Sequence, residues 1–165
     1  MVNKFVFVIA GIVAAMAILI AIPNIMQPTQ EITIKYDKQN VTRINGEAVV
    51  TYNESLTIDR NGAATYIGHD PRLRNLPQEQ RFTLSNEEFG SIKGLILETG
   101  FMEIPRTDYS QSEGAQVFTQ YSLAITTAEG QKTFVWVNPE VHEGTIPPII
   151  LNVGTQLDQL IARRT

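Results

Sequence analysis

The chain has 165 residues, a formal charge of −4, 18% charged and 43% hydrophobic residues, and no cysteine. This suffices for one domain with a real core, is too apolar for a disordered chain, and excludes disulfides, thiolate metal sites and a cysteine nucleophile. Residues 1–26 carry Lys4 alone, so the remainder has a charge of −5, and Arg163–Arg164 is the only basic cluster, a poor match to nucleic acid.

Phe5 to Ile22, FVFVIAGIVAAMAILIAI, holds eighteen residues without a charge. At about 1.5 Å per residue the run spans roughly 27 Å, close to the hydrocarbon thickness of a bilayer. It exceeds the apolar stretch of most cleaved signal peptides and is followed by no clean small-x-small site, so it predicts an uncleaved signal-anchor. The alternative is a cleaved signal. Lys4 before the span favours an N-terminus in the cytoplasm and a body outside the cell membrane, in a single-pass arrangement. The expected organisation is a transmembrane signal-anchor over 1–26, a linker over 27–30 and an extracytoplasmic α+β domain over 31–165. Ala10, Ala14, Ala17 and Ala21 recur on one face of the span, a stripe that would admit a close helix–helix interface with another membrane protein. Alanine is also simply common in membrane helices.

Beyond Pro23–Gln30, the segment Glu31–Asp37 alternates Ile32, Ile34 and Tyr36 with Thr33 and Lys35, as a strand does. Val49–Ile58 alternates likewise, and Asp59-Arg60-Asn61-Gly62 is a hairpin signal leading to a return strand, Ala63–Ile67. His69–Gln80, with Pro71 and Pro77, reads as a loop. The stretch FTLSNEEFGSIKGLILETGFMEIP then announces a helix. Ser85 and Glu88 make a capping box, Phe89, Ile92, Leu95, Ile96 and Thr99 follow at helical spacing, and Gly100 and Pro105 stop the element. Thr107–Gln116 is polar and turn-rich. Val117–Thr127 and Lys132–Val137 are strands joined at Glu129-Gly130, and Pro147-Pro148 opens a helix with Ile150, Val153, Leu157, Leu160 and Ile161 on one stripe. The sum is an α+β fold, an antiparallel sheet of about five strands with two amphipathic helices on one face.

Chemistry is sparse. His69 in GHDP and His142 in EVHEG lie in expected loops without a metal-binding spacing, and most such histidines are solvated surface residues. Asp108, Ser110, Ser112 and Glu113 put oxygen atoms at near-alternate positions, yet the calcium-loop pattern is not met. No GxSxG elbow is present, although a triad assembled in space would leave no such trace. Asn45-Gly46 and Asn61-Gly62 are turn glycines, not a phosphate cradle. Asn40-Val41-Thr42 and Asn53-Glu54-Ser55 are sequons, making Asn40 and Asn53 possible glycosylation sites if the body is exported. Trp136 reads as a strand core residue, or as a contact anchor if its strand lies at an edge. Neither a cofactor nor a small-molecule substrate is expected.

LSNEEFGSIKGLILETGFMEIP, FTQYSLAITTAEGQKTFVWV and PPIILNVGTQLDQLI follow one another in an order that resembles the emfourin-like family of small exported domains. In that family a helix ending in FF-x-LP precedes a Y-x-L-x-I … G … V-x-W/F hairpin and a helix opening with Pro-Pro. The resemblance covers residues 82–161. It implies a compact α+β protein that works by binding, as inhibitors of metalloproteases do, and carries over no inhibitory residue. Three functional expectations follow. The first is a non-catalytic extracytoplasmic module that binds another protein as an accessory subunit of a membrane complex. The others are an emfourin-like inhibitor of exported metalloproteases and an anchored hydrolase using a loop histidine.

Overall fold

The computed structural model describes residues 31–70 and 76–164. The chain divides into two units, Met1–Gln30 and Glu31–Thr165, and the second is an α+β body. Its strands are β1 (Thr33–Ile44), β2 (Glu47–Ile58), β3 (Ala63–His69), β4 (Gln78–Thr83), β5 (Asp108–Tyr109), β6 (Val117–Thr127) and β7 (Gly130–Val137). Its helices are α1 (Asn86–Leu97) and α2 (Pro148–Ala162), with one-turn 3-10 helices at Phe101–Glu103 and Pro139–Val141. The strands form one sheet in the order β4-β3-β2-β1-β6-β7-β5, antiparallel throughout except for the β5–β7 pair.

The expected sheet of about five strands is therefore corrected to seven. β4, QEQRFT, begins in the expected loop, at 78–80, and runs into the stretch that leads to the helix; Phe82 is its one apolar residue, so it offers no alternation and is held by its ladder to β3. β5 is two residues long, too short for a period. β1 also runs on to Ile44, because Asn45 and Gly46 both adopt positive φ (53° and 86°), the two-residue turn whose twist suits a hairpin.

The expectation of a transmembrane signal-anchor is corrected as well: among the described residues no helix is long and apolar enough to cross a membrane. α1 has 12 residues and α2 has 15, both with a polar face, whereas a crossing takes about 20 apolar residues. The Phe5–Ile22 run and the Ala10, Ala14, Ala17 and Ala21 stripe lie outside the described residues.

Both helices cover one face of the sheet. Ile34, Tyr36, Leu56, Ile58, Leu123, Ile125, Phe134 and Trp136 point up from the strands to meet Ile92 and Ile96 of α1 and Ile150, Val153, Leu157 and Leu160 of α2. α1 starts where its sequence says: Ser85 Oγ accepts from the Glu88 N–H at 3.1 Å, and Glu88 Oε2 accepts from the Ser85 N–H at 2.9 Å. Arg164, just past α2, donates to both Glu88 carboxylate oxygens at 3.1 Å, tying the end of one helix to the start of the other. α2 approaches closely because residue 154 is glycine; a Cβ there would lie 2.8 Å from Trp136 Cζ2.

Candidate functional site

Residues opposed across an antiparallel ladder project from the same face, so register locates every strand side chain. The helix-covered face reads, from the closed end outward, Ile58/Ile34/Ile125, then Leu56/Tyr36/Leu123, then Glu54/Lys38/Tyr121. Next come Tyr52/Asn40/Thr119, and at the far end Val49/Thr42/Val117 with Ile44 beyond. Helix cover stops at the third row, where Asp158 of α2 reaches the sheet. Its Oδ1 accepts from the Tyr36 hydroxyl at 3.1 Å and lies 3.4 Å from Lys38 Nζ, and Lys38 Nζ stands 3.8 Å from Glu54 Oε2.

This line of polar groups is electrostatically fixed. Burial and then the negative charge of Asp158 push the Tyr36 hydroxyl well above the ordinary tyrosine range. Burial, the Tyr52 contact at 3.4 Å and Glu54 do the same to Tyr66. Burial works against the charge on Lys38, but Asp158 and Glu54 outweigh it and hold the ammonium above its usual value. Tyr36 and Tyr66 thus remain neutral and Lys38 charged across ordinary pH. Beside them Trp136, 2% exposed, stacks on Tyr121 at 5.3 Å and 10° and on Tyr36 at 6.2 Å. Trp136 is core, and the ring turned toward solvent is Tyr121. The cleft between these rings and α2 measures about 260 Å³, under the usual range of about 300–1,000 Å³ for small-molecule sites.

Past that line this face of the sheet is bare among the described residues. Ile44 is 54% exposed, Val49 39% and Val117 66%, three of the four large apolar side chains so exposed among the described residues. They share one face, and the neighbouring row holds Tyr52 and Thr119, with Tyr121 one row further in. The opposite face of the same arm is closed, since Val41, Phe118 and Val137 form a second small core with Ala115 and Val141. Two loops make that cover. The Ser112 N–H and Oγ donate to the Val141 carbonyl at 2.7 and 2.8 Å, and His142 Nδ1 donates to the Ser110 carbonyl at 2.7 Å.

The remaining candidates fall apart in space. His142 is a clasp residue whose Nε2 is enclosed without a hydrogen bond among the described residues. His69 ends β3 opposite Asn53. Of the loop residues, Ser112 Oγ and the Ser110 carbonyl are engaged in the clasp, Asp108 is in β5, and among the described residues no group of three His, Asp or Glu is placed to hold a metal. Asn40 is exposed on the bare face and accepts from Thr119 Oγ1 at 3.1 Å, whereas Asn53 lies on the other face, opposite Gln39. The Lys38–Asp158–Glu54 line and the Ile44–Val49–Val117 patch carry no local motif. The available signal was a parity change in β1, apolar at Ile34 and Tyr36 and then at Val41, which marks the point where burial switches faces.

No family model matches the chain, and neither does any curated protein. The likeness of residues 82–161 to emfourin-like domains therefore stands on its quoted motifs alone.

Proposed function

We propose that residues 31–165 form a non-catalytic protein-binding module that works outside the cytoplasm as an accessory subunit of a membrane complex. The observation that carries this reading is the exposed apolar group of Ile44, Val49 and Val117, with Tyr52 in the neighbouring row, at the end of the sheet face that α1 and α2 do not reach. Contiguous exposed apolar side chains rimmed by polar ones mark interaction surfaces, and tyrosine is a favoured contact residue. The charge-free Phe5–Ile22 run after Lys4, read as an export signal, supports a place outside the cytoplasm.

The test is co-purification with the tagged full chain from its native source. Ile44→Asp with Val117→Asp is expected to release the co-purifying protein, while Ser122→Asp, on the other face, retains it. Equal retention by both variants would discard this surface as the binding site.

A further inference from the structure

Among the described residues, the same arm of the sheet has an unpaired edge. β3 stops opposite Asn53, so Glu47–Tyr52 of β2 ladders with β1 on one side and, among the described residues, with no strand on the other. The sheet's outermost strand, β4, is guarded by an ion pair, Arg81 to Glu79 at 2.6 Å, the usual defence of an edge. In Glu47–Tyr52 the only charge is Glu47.

The turn determines which backbone groups face outward. Ile44 and Glu47 flank a two-residue turn and so form a hydrogen-bonded pair, which makes Thr42–Val49 the next such pair. The N–H and C=O groups of Ala48 and Val50 then point away from β1. The amide of Arg43, opposite Ala48, accordingly donates the other way, to the Gln116 carbonyl at 2.7 Å.

We infer that a second copy of the chain pairs with this edge, antiparallel, across a two-fold axis through Val49; the inference rests on the protein-binding reading and names one partner for that surface. Opposed residues share a face, so a strand pairing with itself across a two-fold axis must be centred on a residue and never between two. Centring on Val50 would send the next hydrogen-bonded pair, Ala48 with the partner's Tyr52, across the β1–β2 register shift beside Asn40/Val41. Centring on Val49 joins Ala48 to the partner's Val50, and the reverse, with about four backbone hydrogen bonds. Val49 then meets the partner's Val49 in the close, non-hydrogen-bonded pair. Val117, Thr42 and Val49 continue into their own copies as one row of β-branched side chains, the kind that packs well on a pleated surface. Charge agrees, because Glu47 faces the partner's Thr51 and no like charges oppose one another. The contact lies at the small end of specific interfaces, under about 1,200 Å², so the dimer forms and dissociates with concentration.

The absence of cysteine makes the test clean. In the full-length chain Val49→Cys places two sulfur-bearing residues about 4.5 Å apart at Cα, inside the disulfide range. Asn152→Cys, exposed on α2, is the control. Cross-linking of V49C is expected to run at least about tenfold faster than that of N152C, since only the first is held in range. Adding Ala48→Pro, which removes an outward N–H and leaves the β1 ladder intact, should return it to the control rate. Equal rates for V49C and N152C, or no effect of A48P, would overturn the inference. If V49C does not cross-link while the Ile44/Val117 double variant still releases its co-purifying protein, the second copy falls and the binding module stands. If V49C cross-links and no protein is released, the second copy stands and the accessory-subunit reading falls.

Discussion

The two ends of β1, β2 and β6 are built from the same strands, yet opposite faces are buried at each. At one end α1 and α2 close the face bearing Ile34, Leu56 and Leu123; at the other, the Ser110–Gln116 and Asn138–His142 loops close the reverse face over Val41, Phe118 and Val137. The changeover leaves Ile44, Val49 and Val117 bare on the helix side. Burial in this sheet therefore follows residue parity within each stretch of strand, and a strand with alternating apolar residues along its whole length need not be covered along its whole length. The closed end should govern stability, and the bare end should govern association.

Trp136→Ala probes the closed end hardest. Trp136 is fully buried, stacked on Tyr121 and Tyr36 and packed against Gly154. Truncation should cost about 3–5 kcal/mol, the usual range for a core tryptophan, seen as a lower denaturant midpoint. A loss under about 1 kcal/mol would break the comparison, since the closed end would then not be where stability resides. Gly154→Ala sharpens it with one methyl group. Alanine in a helix interior ordinarily gains about 1 kcal/mol over glycine, but the new Cβ would sit 2.8 Å from the Trp136 ring, which is stacked on Tyr36 and Tyr121. Overpacking of about 1–3 kcal/mol should reverse the gain, for a net loss of about 1 kcal/mol.

Ser85→Ala tests whether α1 must be capped to serve as cover, with an expected cost of about 1 kcal/mol. The other half of the cap titrates. The Ser85 backbone N–H, then its hydroxyl and Arg164, hold the Glu88 carboxyl below the ordinary glutamate range. A carboxylate with a depressed folded pKa adds stability that is fully present above its unfolded pKa and is lost as pH falls through the folded one. The advantage of the native chain over Glu88→Gln should hold at neutral pH and vanish on acidification below about 4.5. Paired melts across that range measure it, and an advantage that persists in strong acid would contradict the assignment. The pair is partly exposed, 26% at the Glu88 side chain, so solvent screening keeps the effect small.

Much of the fold could be read from residues in advance, and the limits have physical causes. α1 and α2 announced themselves through caps, helical spacing and an N-terminal proline, all local signals. The β2–β3 and β6–β7 hairpins did so through alternation and turn residues. β4 was hidden because a strand with one apolar residue is held by backbone pairing, which leaves no side-chain period. The Lys38–Asp158 contact joins residues 120 positions apart, and no local spacing encodes it. The bare patch was hidden for another reason. Val117 has the parity of Tyr121, Leu123 and Ile125 in its strand, but Val49 has that of Thr51 and Asn53, and it reaches the helix-side face only through the register shift beside Asn40/Val41.

The smallest effect is the most discriminating. Val117 is 66% exposed, so Val117→Ser removes little buried area, and a surface change of this kind is usually worth no more than about 0.5 kcal/mol either way. The melt should be unchanged while the concentration needed for self-association rises, because the apolar row loses a member in each copy. A near-zero shift in stability with weakened association assigns Val117 to binding alone. A loss above about 1 kcal/mol would mean that Val117 contributes to the packed core, and the division between a closed end that stabilises and a bare end that binds would fail at its clearest residue.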